Sequence, residues 1–367
     1  MKKNYLMWVG ILVMGALLLI SLMFLGGRIC RFELWKRCFG ESRAAFLYAI
    51  LLLLAVLAAL WVTLGYVDAI VCLFHALVIW SLCDGAAWLV QRLSGTEIAH
   101  NLPDVVALVL TLAWLSYGWY NAHHVCRTAY TLSGSVSDSV RIVGFSDAHV
   151  GAVFSGKDFR KNVERMNAEE ADAVVIVGDF VDDETSRENM EQACSALGEL
   201  KTKYGVYYVF GNHDIGYYNS RRGYGKEELV EQLQANGVRI LEDETVPLRG
   251  NVKLCGRKDA HSERKSASEL TGTLTDGDYI IMLNHQPTDY AAETEAGAGL
   301  VLSGHTHGGQ LIPIRKLIGV LGKNDRVYGH EKRGNTDFIV SSGIGDWAMD
   351  FKTGFISEYF VVDIRPN

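Results

Sequence analysis

The sequence predicts a multi-span α-helical membrane segment followed by an α/β domain, and three observations carry that expectation. The 367-residue chain has a mean hydropathy of +0.11, high for a water-soluble protein. Its apolar residues crowd into the first third, where four long stretches contain no Asp, Glu, Lys or Arg. From residue 140 the pattern turns to short apolar runs separated by polar segments of helical length. Charge divides in the same way: residues 1–140 hold 9 Lys/Arg and 7 Asp/Glu, leaving 26 and 35 to the remainder, a net of −9. This excludes a disordered chain, a fibrous repeat and a small disulfide scaffold. An acidic remainder with no Lys/Arg-rich block also argues against long nucleic acids as partners.

The uncharged stretches are 5–27, 44–67, 69–83 and 105–126. A helix needs roughly 20 apolar residues to cross ~30 Å of hydrocarbon. The third stretch is short, but apolar residues resume beyond Asp84, so a span of about 69–90 is expected, with Asp84 inside the bundle or near an interface. The first has a basic start in Lys2 and Lys3, as a secretory signal does, but no small-x-small site ends it, and it reads as a span. The expected organisation is a membrane segment over 1–130 with the lipid bilayer as its partner, and a second domain over 131–367. Arg28, Arg31, Lys36, Arg37, Arg43 and Arg92 lie in two loops on one side; Lys2, Lys3, Arg127 and Arg141 lie on the other. Six against four places both termini, and the C-terminal domain, outside the cytoplasm. The chain has 7 cysteines and no C-x-x-C, which suggests neither a zinc finger nor a redox pair.

In the C-terminal domain the apolar runs are 140–145, 173–177, 205–210, 279–283, 300–302, 338–341 and 357–364, bounded by Gly, Asp or Asn, and read as buried strands. Amphipathic segments at 156–170, 186–204 and 226–236 read as helices, the last stopped by Gly237. Alternation of the two predicts a largely parallel sheet, and the strand-rich region after 239 a second, mixed one.

The residues just beyond the strand ends carry the chemistry. Five runs end in Ser146-Asp147-Ala148-His149, Gly178-Asp179-Phe180-Val181-Asp182, Gly211-Asn212-His213-Asp214, Asn284-His285 and Gly304-His305-Thr306-His307-Gly308-Gly309-Gln310. In α/β sheets, ligands bind outside the carboxyl ends of the strands, where these loops would converge. Asp-x-His and His-x-His put two side chains on one face of an extended backbone. Asp147, His149, Asp179, Asn212, His285, His305 and His307 make seven oxygen and nitrogen donors, too many for one ion and suited to Mn, Fe, Zn or Co. A shared carboxylate would serve two ions about 3.5–4 Å apart, a spacing that fits hydrolysis at phosphorus by metal-activated water. Any one of these motifs alone is weak and reads more readily as a capping turn or a satisfied core histidine; the five together, in this order at strand ends, carry the reading.

Taken in order, these five blocks resemble those of the calcineurin-like metallophosphoesterases, over about residues 141–367. The resemblance implies a four-layer α/β/β/α sandwich and two divalent metal ions (Mn, Fe or Zn). It implies that Asp147, His149, Asp179 and His307 bind one ion, that Asp179 bridges, and that Asn212, His285 and His305 complete the second site. His213 resembles the family's catalytic acid or phosphate contact, and Asp182 the carboxylate that orients it. Asp183 stands where the protein Ser/Thr phosphatases have Arg. His305–Gln310 together with the multi-span N-terminus is similar to the bacterial membrane-anchored branch, some members of which hydrolyse the lipid-linked pyrophosphate UDP-diacylglucosamine. In the stretch 346–353, where members often carry Arg, this chain has only Lys352.

The expected function is therefore a membrane-anchored, dinuclear-metal-dependent phosphoesterase acting on a phosphodiester, pyrophosphate or phosphomonoester, with a lipid-linked substrate preferred. The alternatives are hydrolysis of a soluble nucleotide and a catalytically inert membrane metal sensor or scaffold. His123 and His124, at the exit of the fourth span, read either as neighbours of lipid headgroups or as ordinary interfacial residues. Tyr217, Tyr218, Arg221, Arg222 and Tyr224 form an aromatic-basic loop, either a headgroup grip or a solvated loop.

Overall fold

The computed structural model describes residues 2–99, 101–217, 221–272, 274, 275, 277–312 and 324–367. The chain forms two units, Met1–Gly118 and Trp119–Asn367. Among the described residues, four helices in its N-terminal part are long and apolar enough to cross a membrane: α1 (Lys2–Ile29), α3 (Arg43–Leu64), α4 (Tyr66–Ser94) and α5 (Leu102–His123), with the short α2 (Glu33–Phe39) between the first two. Ser42 starts α3 by accepting from the Ala45 amide, and Gly95 ends α4 in the left-handed conformation at φ 69°. Leu25, Leu73, Trp80 and Ala107 pack the inside, whereas Leu12, Leu47, Trp61, Leu82 and Leu112 point outward. An apolar exterior is the arrangement a hydrocarbon solvent selects.

Two carboxylates of this unit have partners within it. Asp84 pairs with Arg28, and Asp104 accepts from the Trp80 indole at 3.1 Å and lies 3.7 Å from Arg31. Asp84 is thus compensated within the unit, and two of the cations that set the charge bias, Arg28 and Arg31, are held in ion pairs.

The C-terminal unit contains two six-stranded sheets. The first is ordered β1 (Val125–Gly134), β12 (Ser357–Pro366), β2 (Val140–Phe145), β3 (Ala173–Val177), β4 (Val206–Val209), β5 (Val238–Ile240). The second is β10 (Gly329–Arg333), β11 (Thr336–Val340), β9 (Ala298–Ser303), β8 (Tyr279–Leu283), β7 (Val252–Gly256), β6 (Glu244–Arg249). β2 to β5 are parallel, as are β11, β9, β8 and β7. The period of two assigns each strand residue to a layer. Ile142, Val175, Val177 and Val209 meet Leu254, Ile281, Leu283 and Leu302 between the sheets. Val143, Phe145, Val174 and Ile176 face outward under α6 (Gly156–Asn167), α7 (Arg187–Leu197) and α8 (Lys226–Ala235). Met282, Val301 and Phe338 lie under α9 (Ala267–Thr271) and α10 (Tyr290–Glu295). The result is the expected α/β/β/α sandwich.

The end of the fourth span differs from the sequence reading, and the helix expected over 186–204 ends at Leu197. The fourth apolar helix ends at His123, and Val125–Gly134 is a strand paired in parallel with β12 from Val125↔Ser357 onward. The uncharged run to Cys126 is shared between helix end and strand start, and periodicity cannot divide so short a piece.

Candidate metal centre

The loops that leave β2, β3, β4, β8 and β9 converge at the carboxyl ends of the strands. Asp147, His149, Asp179, His305 and His307 all have positive φ, between 39° and 70°. Such backbone costs of order 1–3 kcal/mol per residue and persists where surrounding structure dictates it. Here it re-aims side chains from neighbouring strands into one volume. Gly178, at φ +80°, makes the approach possible: a Cβ there would lie 2.4 Å from Nδ1 of His285.

Two of the four donor groups among the described residues are Asp147, His149 and His307, and Asp179, His285 and His305; the other two include His213. The first two meet at Asp179, whose Oδ2 lies 3.0 Å from His285 Nε2 and 3.9 Å from His149 Nε2. Its Oδ1 is engaged elsewhere, accepting from the His213 amide at 2.9 Å. Asp147 accepts from the His305 amide and faces His307 Nε2 at 3.6 Å. Asn212 is buried, and its Oδ1 has no hydrogen-bond partner.

The imidazoles fit a cation. His285 Nδ1 faces the Val177 carbonyl at 2.7 Å and must donate to it, so its Nε2 turns towards a carboxylate. His149 and His307 point Nε2 at each other across 3.2 Å, while their Nδ1 atoms face Asp182 at 3.7 Å and Asp346 at 3.6 Å. Burial pushes His149 and His305 down to about 4, which keeps them neutral lone-pair donors. Burial pushes the Asp179 carboxyl up, but His285 and its neighbours outweigh it and hold that group well below the carboxylate range. Buried oxygen and imidazole donors, with lone pairs converging and no thiolate, suit borderline divalent metals.

His213 shares a donor group with His149 and Asp179 and another with Asp182 and Asp183. Its Nδ1 lies 2.6 Å from Asp183 Oδ2 and 3.3 Å from Asp182 Oδ1. Burial pushes His213 down, but Asp182, Asp179 and Asp183 outweigh it and raise it to about 9. Asp183, which the sequence marked only as a departure from the protein phosphatases, makes the shorter contact. Asp182 donates its amide to Thr185 Oγ1 and turns also to His149.

Three further features were not read from the sequence. Asp214 accepts from the amides of Asp179, Phe180, Val181 and Gly211, pinning two of the loops together. The pair Asp346–Lys352, 2.9 Å apart and wholly buried, backs His307. Lys352 also donates to the Ser342 carbonyl at 2.6 Å, so it is a buried counter-ion and no phosphate clamp. Trp347, 45% exposed, sits with its ring centroid 5.7 Å from that of His213. Asp214 stands in the Gly-Asn-His-Asp block and Lys352 in the stretch 346–353, but the sequence assigns neither of them this role, and nothing local marked Asp346 or Trp347.

The aromatic-basic loop divides. Arg222 is buried and donates to the His213 carbonyl at 3.0 Å, and Tyr224 is buried beneath it. Tyr217 remains exposed, over the ring of His261 at 3.9 Å. Tyr218 lies outside the described residues.

Strand-end loops that gather buried carboxylates and imidazoles at Asp179 fit a metal-dependent hydrolase of phosphoric esters. Residues 140–309 match the family model described as calcineurin-like phosphoesterase. An uncharacterized metallophosphoesterase of Helicobacter pylori is 34% identical over 286 residues, covering 73% of this chain and 72% of its own. A transmembrane protein with metallophosphoesterase domain from Danio rerio is 31% identical, over 58% of this chain and 52% of its own. Among solved structures, a dimetal phosphatase from Danio rerio covers 56% of this chain and 88% of its own at 11% identity and a TM-score of 0.36. The chain belongs to the calcineurin-like metallophosphoesterase family, whose members use a dinuclear divalent metal centre.

Proposed function

We propose that the chain is a membrane-anchored phosphoesterase whose substrate is a lipid-linked or membrane-proximal phosphate ester, presented on the extracytoplasmic side. Asp147, His149, Asp179 and His307 hold one divalent ion; Asp179, Asn212, His285 and His305 hold the other. The observation that carries this reading is the position of Asp179 Oδ2, open to an imidazole from each donor group. Bound metals would supply Lewis acidity and lower the pKa of water towards ~7.

The chain's own residues do the rest. His213, protonated at neutral pH, gives a proton to the leaving oxygen, and Asp182 and Asp183 aim its imidazole. Val177 fixes the His285 tautomer through the Nδ1 contact. Trp347 offers an exposed apolar face beside His213, which supports a substrate with a lipid part. Four helices long and apolar enough to span support the anchor.

The test is hydrolysis by the full-length chain in lipid vesicles, comparing a long-chain lipid phosphodiester or pyrophosphate with its water-soluble headgroup analogue. A kcat/KM about tenfold or more in favour of the lipid supports the reading. Equal or inverted preference moves the substrate to soluble nucleotides or other small esters.

A further inference from the structure

Away from the metal centre, a cavity of about 430 Å³ opens where the fourth apolar helix ends. Its lining residues all belong to the C-terminal unit. Lys161 and Arg165 stand four residues apart on one face of α6 and line it together. Arg165 is fixed: Nη1 donates to the Val125 carbonyl at 2.6 Å, and the guanidinium lies 5.4 Å over the Tyr359 ring. His123 and His124 close one side, stacked on Trp119 at 4.2 Å and Tyr120 at 4.8 Å in the last turn of α5. Val153 and Phe154, half-buried, give an apolar edge. One carboxylate lines the cavity, Asp158, paired with Lys161 at 2.8 Å, and Asp350 is electrostatically coupled to His123.

The chain itself sets the depth of this cavity. α5 runs for 22 residues, Leu102–His123, a rise of about 33 Å, which matches a hydrocarbon thickness of ~30 Å. Its last residue lines the cavity. If α5 spans, the cavity lies at headgroup level, with cations and imidazoles around a hole of headgroup size. Aromatic residues in that turn, Trp119 and Tyr120, suit the same depth.

We infer that this cavity seats the phosphate-bearing headgroup of an anionic phospholipid from the surrounding leaflet. The inference rests on the membrane-anchored reading above and is independent of turnover. Lys161 and Arg165 meet the phosphate, the two imidazoles add donors, and Val153 with Phe154 receives the first apolar atoms below it. A basic residue near a membrane surface contributes modestly to anionic lipid attraction, so the effect is gathered from several groups.

Native mass spectrometry of the detergent-solubilised full chain tests this with phosphatidylglycerol and phosphatidylcholine of identical acyl chains. Wild type is expected to retain phosphatidylglycerol about tenfold more tightly. The pair His124→Ala with Lys161→Glu is expected to lose that preference. Lys157→Glu, an exposed site on the same helix outside the cavity with the same charge change, should stay within twofold of wild type. Wild type that does not distinguish the two lipids, or Lys157→Glu losing as much as the pair, overturns the proposal. Displacement of the lipid by millimolar glycerol phosphate assigns the cavity to soluble phosphate esters and overturns the bilayer as its source. The readout needs no hydrolysis, so an inert protein that still binds anionic lipid separates failure of the enzymatic reading from failure of this one.

Discussion

His285 directs Nε2 at Asp179 Oδ2 across 3.0 Å while its Nδ1 donates to the Val177 carbonyl. A neutral imidazole in that tautomer would set a lone pair against a carboxylate in a fully buried volume. Burial pushes the His285 pKa down, yet Asp179 outweighs it and raises it well above its ordinary value. The protein alone resolves the conflict with a proton, and a divalent cation resolves it by taking the proton's place. Metal loading therefore competes with protons, and affinity rises with pH.

His213 should separate turnover from metal binding. His213→Ala is expected to keep its metals and to lose about 10²–10⁴-fold in kcat on an ester with a poor leaving group. On a good leaving group such as 4-nitrophenolate the loss shrinks. Asp183→Asn, which removes the charge from the 2.6 Å partner, should lower the His213 pKa and move the alkaline limb of the pH–rate profile to lower pH. Metal content by elemental analysis and kcat for both esters check this.

Asp346 should act through His307. Asp346→Asn is expected to weaken metal retention about 10–100-fold, the usual cost of losing a carboxylate behind a ligand. Lys352→Met leaves Asp346 uncompensated where both side chains are wholly buried, a loss of about 3–5 kcal/mol in stability. Lys352→Met combined with Asp346→Leu should recover much of that stability but not the metal affinity. Thermal melts and equilibrium dialysis measure the two effects.

Gly178 has no room for a side chain. Gly178→Ala places a Cβ 2.4 Å from His285 Nδ1 and 2.7 Å from the Gly211 amide, at a φ of +80°. The expected cost is about 1–3 kcal/mol together with loss of the His285–Val177 contact. The variant should melt lower and bind fewer metals even at saturating concentration.

The strand after α5 is tied down by Glu169. It accepts from Arg127 at 2.7 Å and from the Tyr359 hydroxyl at 2.9 Å. The Arg127 bond outweighs burial and holds Glu169 below the glutamate range. A depressed carboxyl contributes stability that is present above the unfolded pKa of 4.5 and lost as pH falls through the folded value. Glu169→Gln should cost about 1 kcal/mol at pH 7, after solvent screening at the exposed Arg127, and progressively less as pH falls below 4.5. Melting curves above and below that pH test the sign. The same contacts mean that a soluble version must begin before Val125, since a later start deletes β1 from its pairing with β12.

The sheets and the convergence of the histidine loops were legible because each signal is local: an apolar run, then Asp, Asn or His beside Gly. The backbone that aims them was not. Positive φ at Asp147, Asp179 and His305 comes from packing between neighbouring loops, which a linear sequence does not display. Choosing between Asp182 and Asp183 was beyond the sequence for a related reason. Adjacent carboxylates are equivalent there until Thr185 takes the Asp182 amide and turns the loop. Asp346 and Lys352 lie far along the chain from the histidine they back. β1 was hidden because its first residues prolong the apolar run of α5.

The most direct measurement is metal stoichiometry of the purified full chain, wild type against Asp179→Asn and His305→Ala. The account predicts two ions per wild-type chain, one retained in His305→Ala, and neither held tightly in Asp179→Asn, because Oδ2 of Asp179 faces an imidazole from each donor group. Two tightly held ions in Asp179→Asn would contradict it.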